Sequence, residues 1–176
     1  MDIKSYLKSA SLGDLLQIQY FLKGEINNRE STPKKIRLVK TYSDGASRGN
    51  PGPAGIGALV FDEADEKITQ EFRYIGETTN NEAEYRALLL ALDLARDLTN
   101  GSVECHMDSQ LLARQLNGQY ALKSEKLAKF FEEVKARAQR FSSVTYTHLS
   151  REHPKLQMAD KLANKGIDEA RPLKKI

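Results

Sequence analysis

Residues 41–57 read TYSDGASRGNPGPAGIG and contain the pattern that decides the fold. Upstream and within this stretch, apolar Ile36, Leu38 and Tyr42 alternate with polar residues. The alternation predicts a strand that ends at Asp44, and a turn dense in glycine and proline follows. Asp44 falls on the apolar face, where a carboxylate is costly to bury without a partner. Two interpretations are open at this point: Asp44 binds a metal ion, or it only opens a turn.

Length and composition favour one globular domain with a short extension. The chain has 176 residues, of which 40% are hydrophobic and 29% charged, as is typical of a chain with a packed core. No apolar run approaches the roughly 20 residues that cross a bilayer, and the first residues lack the core of a signal peptide. Cys105 is the single cysteine, which excludes an internal disulfide and argues against a structural zinc site. We therefore expect a cytoplasmic protein without membrane contacts, and we expect it to act as a monomer.

The net charge of +3 conceals an uneven distribution of charged residues. Residues 1–35 sum to +2, residues 36–120 to −5 and residues 121–176 to +6. An acidic centre between basic flanks suits a cation site set into a polyanion-binding surface. It suits solvated helix faces equally well, so the charge distribution alone does not decide between them.

The pattern of apolar residues divides the chain into two parts. Residues 1–35 are predicted to form a helical extension, in which leucine and isoleucine recur at helical spacing, followed by a polar linker that contains Pro33. Residues 36–172 are predicted to form an α/β domain. Its predicted strands span about 36–43, 55–62, 68–75, 103–107 and 144–149, and its predicted helices span about 80–98, 111–116, 124–141 and 159–167.

Three further carboxylates are predicted to face inward or to lie at a sheet edge. Counting back one turn from Leu88 places Glu84 on the buried stripe of its helix, whereas Glu82 is expected to face solvent. Asp108 follows a strand, at the edge where α/β sheets build their sites, although helix capping alone would also explain it. Asp160 falls on an apolar face of the last helix.

Carboxylate oxygens without a nearby cysteine favour Mg²⁺ or Mn²⁺ over zinc. Two such ions roughly 3.5–4 Å apart activate a water and stabilise a leaving oxygen in phosphodiester cleavage. Several carboxylates in one buried site also need such counter-charge to stay ionised. That the four residues meet in space is a hypothesis here, because the sequence alone shows no contacts.

Four short motifs, in the same order along the chain, resemble the ribonuclease HI (type 1 ribonuclease H) family over residues 36–169. They are Asp44-Gly45-Ala46-Ser47 with Gly49-Asn50-Pro51-Gly52-Pro53-Ala54-Gly55, Thr79-Asn80-Asn81 with Ala83-Glu84-Tyr85, Asp108-Ser109-Gln110, and Ala159-Asp160 with Leu162-Ala163. The resemblance implies a ribonuclease H-like five-stranded mixed sheet, with three antiparallel and then two parallel strands, flanked by helices. It also implies an endonuclease that hydrolyses the RNA strand of RNA–DNA hybrids and leaves 3′-hydroxyl and 5′-phosphate ends.

The resemblance also implies roles for individual residues. The catalytic residues, and the ligands of two Mg²⁺ or Mn²⁺ ions, would be Asp44, Glu84, Asp108 and Asp160. Asp44 would bridge both ions. The residues that read the minor groove and the RNA 2′-hydroxyls, by which a protein distinguishes RNA from DNA, would be Gly45, Asn50, Asn81 and Gln110.

The chain departs from the family pattern in two places. Many relatives have a histidine ten residues before the last aspartate, where this chain has Ser150. His148, Arg151 and His153 are the nearby residues that would assist proton transfer or product release, unless they are incidental loop residues. The chain also has no tryptophan and lacks the tryptophan-rich basic protrusion of some relatives. Phosphate contacts, unless these side chains are simply solvated, are then expected from Lys123, Lys126 and Lys129.

Two alternatives keep the fold but change the function. A non-catalytic nucleic-acid-binding module would be marked by loss of one of the four carboxylates, and all four are present. A nuclease for DNA or for structured RNA is the other alternative. The amides of Asn50, Asn81 and Gln110 argue against it.

Overall fold

The computed structural model describes residues 36–170, together with positions 10, 11, 15, 18, 19 and 22. The chain divides into two units, residues 1–35 and residues 36–176. In the first unit, positions 15, 18, 19 and 22 are helical. The rest of the predicted extension and its linker lies outside the described residues. In the described part of the chain, no helix is both long and apolar enough to span a bilayer.

Nine helices and strands make up the second unit as far as the structure describes it. In chain order they are β1 Leu38–Ser47, β2 Gly52–Phe61, β3 Lys67–Thr78, α1 Asn80–Arg96, β4 Ser102–Met107, α2 Gln110–Leu116, α3 Glu125–Ala138, β5 Ser143–His148 and α4 Pro154–Glu169.

The five strands form one sheet in the order β3-β2-β1-β4-β5. The first three strands pair in antiparallel fashion, and β4 then lies parallel to β1, with β5 parallel to β4. A parallel neighbour needs a crossover, and α1 provides it between β3 and β4. The predicted sheet, with three antiparallel strands followed by two parallel ones, is confirmed.

Helices cover both faces of the sheet. On one face α1 buries a nearly continuous apolar run that includes Leu88 and Leu92, and α3 packs against the same core through Leu127 and Val134. On the other face α4 packs across β1, β2 and β3, and Leu156 and its neighbours meet the rings of Tyr42 and Phe61. The central strands are therefore buried on both sides, as their apolar sequences require.

The prediction that the first strand ends at Asp44 is wrong. β1 continues to Ser47, and its pairing with β2 extends through Asp44↔Gly57 to Ser47↔Ala54. Gly45 and Gly52, predicted to belong to the turn, lie inside paired strands, whereas Gly55 and Gly57 lie in a strand as predicted. The turn itself is confined to residues 48–51. Asp44 consequently lies within the sheet and not at a loose end.

The prediction that Glu82 faces solvent is also wrong. Glu82 is 6% exposed, and its carboxylate forms an ion pair with Lys126 on α3. The helical count placed it opposite the stripe that faces the sheet. That count did not include α3, which packs against α1.

Candidate active site

Asp44 and Asp108 are brought side by side by the register of the parallel strands. Tyr42 on β1 is level with His106 on β4. Two residues further along, Asp44 lies within β1 and Asp108 immediately follows the last residue of β4. Both side chains are largely buried, with Asp44 6% and the Asp108 side chain 12% exposed. The carboxyl ends of parallel strands are where α/β sheets place functional groups.

Glu84 reaches the same place because Gly45 has no side chain. A β-carbon on Gly45 would lie 2.2 Å from the carbonyl carbon of Ala83 and 2.4 Å from the amide nitrogen of Glu84. The first turn of α1 therefore lies directly on β1, one residue past Asp44. Thr79 caps this turn by accepting a hydrogen bond from the backbone N–H of Glu82.

Asp160 is positioned by a similar close contact on the other face of the sheet. Gly57 pairs with Asp44, and a β-carbon on Gly57 would lie 2.5 Å from the carbonyl oxygen of Ala159. A side chain at position 57 would push α4 away from the sheet. Its absence lets α4 approach at the level of Asp44, which brings in Asp160. We call Asp44, Glu84, Asp108 and Asp160 the carboxylate cluster.

The cluster carries uncompensated negative charge. The pKa of Asp44 is raised to about 8, first by burial and then by the neighbouring charges of Asp108, Asp160 and Glu84. Burial also raises the pKa of Glu84, and the charge of Asp108 adds to the effect. The guanidinium of Arg151 lowers the pKa of both Asp44 and Glu84 but does not cancel these effects.

Side-chain donors contact three carboxylates of the cluster, and Arg151 is the one of these donors to which the sequence pointed. Arg151 Nε donates to Asp108 Oδ2 over 3.0 Å. Asn80 Nδ2 donates to Glu84 Oε1 over 2.9 Å, and Asn164 Nδ2 donates to Asp160 Oδ1 over 3.2 Å. Each asparagine lies one helical turn from its carboxylate. That i, i+4 spacing is the signal by which the sequence would have revealed them.

The donor chemistry of the cluster fits Mg²⁺ or Mn²⁺. All four ligands would be carboxylates, which hard divalent ions prefer. The pKa of Asp44 is raised first by burial and then by repulsion from its neighbours, and a bound cation would offset both. Within residues 36–170, no three acidic, histidine or cysteine side chains already stand close enough to hold an ion. Carboxylate oxygens of Glu84, Asp108 and Asp160 instead accept the three hydrogen bonds described above. Each carboxylate keeps a second oxygen, so these contacts do not exclude an ion, but ion binding would require the side chains to turn toward one another.

The four residues expected to contact substrate lie around the cluster. Asn50, in the turn after β1, accepts a hydrogen bond from the backbone N–H of Asn80 over 3.2 Å, which brings this turn against the start of α1. Asn81 in α1 and Gln110, the first residue of α2, are exposed. Gly45 is buried, and the space that its side chain would fill is occupied by the backbone of α1.

Arg151 and His153 differ in their surroundings. The Arg151 side chain is 77% exposed apart from its contact with Asp108. His153 is the N-cap of α4, where its Nδ1 accepts a hydrogen bond from the backbone N–H of Lys155 over 3.3 Å. Its ring stacks on Tyr42 with 5.5 Å between centroids, and His106 stacks on the same tyrosine at 4.7 Å. The Arg151 side chain therefore lies mostly in solvent, whereas the His153 ring is fixed by its N-cap hydrogen bond and by its stack on Tyr42.

A protein-family model described as "Reverse transcriptase-like" matches residues 42–166, a range that contains the whole carboxylate cluster. The ribonuclease HI of Halobacterium salinarum is 33% identical over 168 residues, which cover 92% of this chain and 83% of that protein. That match is long enough to extend into residues 1–35.

A bifunctional protein of Mycobacterium tuberculosis is 39% identical over 133 residues, or 75% of this chain. The matched part is only 36% of that protein's length, so this chain spans a small part of it. Among solved structures, LC11-RNase H1 in complex with an RNA/DNA hybrid superimposes with a TM-score of 0.70 and is 40% identical. The superposition covers 75% of this chain and 98% of that one.

Proposed function

Because the chain belongs to the ribonuclease HI family, we propose that it hydrolyses the RNA strand of RNA–DNA hybrids and leaves 3′-hydroxyl and 5′-phosphate ends. The observation that carries the proposal is the placement of Asp44 and Asp108 side by side, with Glu84 and Asp160 on the helices that pack against Asp44. The substrate class is supported by the RNA/DNA hybrid bound to LC11-RNase H1.

Asp44, Glu84, Asp108 and Asp160 would hold two Mg²⁺ or Mn²⁺ ions, which would supply activation of a water and stabilisation of the leaving 3′ oxygen. The protein's own contribution is to fix the backbone positions from which the four carboxylates reach the site. β1, β4 and two helices packed through glycines provide that rigidity.

Three amide side chains around the cluster would bind the hybrid. Asn50, Asn81 and Gln110 each offer a donor and an acceptor, which suits base edges in the minor groove and the RNA 2′-hydroxyls. Because Asn50 is hydrogen-bonded to the start of α1, it would contact the substrate close to Asn81. Gly45 would contribute chiefly by letting α1 approach β1.

Arg151 is the loop residue that we assign to assist cleavage. Its exposed guanidinium lies within hydrogen-bonding distance of Asp108, so it can exchange this contact for one with a phosphate oxygen. His153 would anchor the end of this loop, because it caps the N-terminus of α4 and its ring stacks on Tyr42. A role for His153 in proton transfer would require the imidazole to leave that position.

The proposed activity is tested with a labelled RNA–DNA hybrid, double-stranded RNA and double-stranded DNA, each incubated with purified protein and Mg²⁺ or Mn²⁺. We expect cleavage of the RNA in the hybrid only, and end-group analysis should find 5′-phosphates. Asp44→Asn and Asp108→Asn should lose the activity, whereas Asp97→Asn, at an exposed aspartate past the far end of α1, should retain it. Cleavage of either duplex in preference to the hybrid would contradict the proposed substrate.

The cytoplasmic location and the monomeric state are also proposals. The location rests on the single, buried cysteine. Size-exclusion chromatography with light scattering tests the oligomeric state.

A further inference from the structure

Lys126 on α3 neutralises a carboxylate buried in the first turn of α1. Its Nζ lies 2.5 Å from Oε1 of Glu82, and the hydroxyl of Thr78 donates a hydrogen bond to Oε2 of the same carboxylate. The side chain of Glu82 is 8% exposed, whereas that of Lys126 is 70% exposed. An exposed ammonium thus pairs with a buried carboxylate two residues from Glu84.

The same polar contacts continue to the turn that carries Asn50. The backbone carbonyl of Thr78 accepts a hydrogen bond from Ser47 Oγ over 2.8 Å, at the end of β1. The turn that follows returns to α1 through the hydrogen bond between Asn50 and the backbone of Asn80. A continuous set of polar contacts therefore links α3, the start of α1 and the end of β1.

We propose that Lys126 is a positioning residue for the active site. By holding Glu82, it fixes the first turn of α1, and with it Asn81 and Glu84, against the turn that carries Asn50. The inference rests on the proposed function. It replaces the expectation that Lys126 serves as one of three lysines that contact substrate phosphates.

Loss of Lys126 would destabilise the first turn of α1 through the buried carboxylate of Glu82. Removing one partner of such a pair leaves a charge that is neither solvated nor paired, which costs more than losing an exposed ion pair. The hydrogen bond from Thr78 alone does not supply a counter-charge. Without Lys126, Glu82 would have to turn toward water, and the helix turn that carries it would move. Glu84 lies in that same turn.

The test compares Lys126→Met with Lys126→Arg, Glu82→Gln and the double variant Glu82→Gln/Lys126→Met. For Lys126→Met we expect kcat on a hybrid to fall about tenfold, because a small displacement of a catalytic group is costly, while KM changes little. The double variant should recover most of the loss, because no unpaired charge is left in the helix turn. Lys126→Arg should behave like the parent.

Salt dependence distinguishes positioning from phosphate contact. A lysine that contacts a phosphate contributes about 0.9 to the slope of log affinity against log salt. We expect Lys126→Met to leave the slope of hybrid binding in EDTA unchanged. A smaller slope, a raised KM and no recovery in the double variant would together show a phosphate contact and overturn the inference. Parental kcat in Lys126→Met would also overturn it.

A measurement that does not depend on cleavage keeps this result separate from the proposed function. In metal-free protein without substrate, the side-chain amide NMR signals of Asn80 and Asn81 should shift in Lys126→Met and return in the double variant. If the parent fails to cleave hybrids but these signals behave as expected, the proposed function fails and the positioning remains. Unchanged signals overturn the inference. Lys165→Met, which removes an exposed ion pair with Glu169 on α4, is the matched control and should change neither kcat nor the signals.

Discussion

Gly45 and Ala83 approach so closely that a β-carbon on Gly45 would lie 2.2 Å from the carbonyl carbon of Ala83. This contact sets the distance between the central strand and the first turn of α1. Since Asp44 and Glu84 are the next residues on either side of it, the contact also sets the spacing of two members of the carboxylate cluster. Gly45, which the family resemblance assigns to substrate binding, therefore also has a packing role, since it lets α1 lie directly on β1.

Gly45→Ala should reduce both stability and activity. The added methyl group has only helix backbone to push against, so α1 must move away from β1. Such overpacking costs about 1–3 kcal/mol, and it separates Glu84 from Asp44. Urea unfolding and hybrid cleavage measure the two effects.

The control for this variant is Gly118→Ala. Gly118 has a φ of +71° and open space around its missing side chain. Its substitution should cost about 1 kcal/mol through backbone strain alone and should leave cleavage intact. A Gly45→Ala protein with parental stability and rate would contradict the packing argument.

Asp44→Asn should be more stable than the parent in metal-free buffer at neutral pH, although it should be inactive. The pKa of Asp44 in the folded protein is about 8, whereas the unfolded chain has a value near 4. Below about pH 4 the carboxyl is neutral in both states and has no effect on their difference. Between about pH 4 and 8 the folded state binds more protons than the unfolded state, so the contribution of this group to stability falls as pH rises.

The stability difference between Asp44→Asn and the parent should therefore grow from pH 4 to 8 and then level off. Each unit of pKa shift corresponds to about 1.4 kcal/mol, and we expect a gain of roughly 2 kcal/mol or more at neutral pH. Chemical unfolding in EDTA at several pH values measures it. Adding Mg²⁺ should stabilise the parent but not the variant. Equal stability of the variant and the parent across this pH range would show that burial and the neighbouring carboxylates do not raise the pKa of Asp44.

The sheet and the identity of the inward-facing carboxylates could be predicted from the sequence. The uniform apolar run of β2 and the helical spacing around Glu84 are local patterns that hold in the structure. The alternation at β1 located the strand but not its burial, since Val39, Thr41 and Ser43 are buried as well. The order of the strands came from the family resemblance, since periodicity does not specify which strands pair.

What could not be predicted depends on packing between distant elements. The close approach of helix backbone to Gly45 and Gly57 could not be predicted, because a sequence does not show which element fills the space above a glycine. The ion pair of Glu82 joins it to Lys126, which lies on a helix more than 40 residues further along the chain. Counting residues along one apolar stripe of α1 does not reveal that α3 packs against another side of the same helix.

His153→Ala should destabilise the protein, whereas His153→Asn should not. The alanine variant loses the N-cap hydrogen bond to Lys155 and the stack on Tyr42. Loss of a cap typically costs about 1 kcal/mol. Asparagine restores a capping side chain without an imidazole, so His153→Asn should keep most of the stability and cleave hybrids at nearly the parent rate. A stable but inactive His153→Asn protein would show instead that the imidazole takes part in the reaction.

Arg151→Ala should lower the rate of cleavage and also reduce stability. The Arg151 side chain is 77% exposed, but that of its partner Asp108 is only 12% exposed, so the variant leaves a largely buried carboxylate without its counter-charge. The guanidinium of Arg151 lowers the pKa of both Asp44 and Glu84, and it is the exposed cation in contact with the cluster among the described residues. Single-turnover cleavage should be slower by about tenfold or more, as expected when a group that contacts the reacting phosphate is lost. Arg151→Lys should recover part of the rate, since lysine keeps the charge but not the planar guanidinium.

Arg140→Ala, which removes an exposed arginine just before β5 at the opposite edge of the sheet, should cleave like the parent. If Arg151→Ala also cleaves like the parent, the loop before α4 contributes no assisting group through this residue.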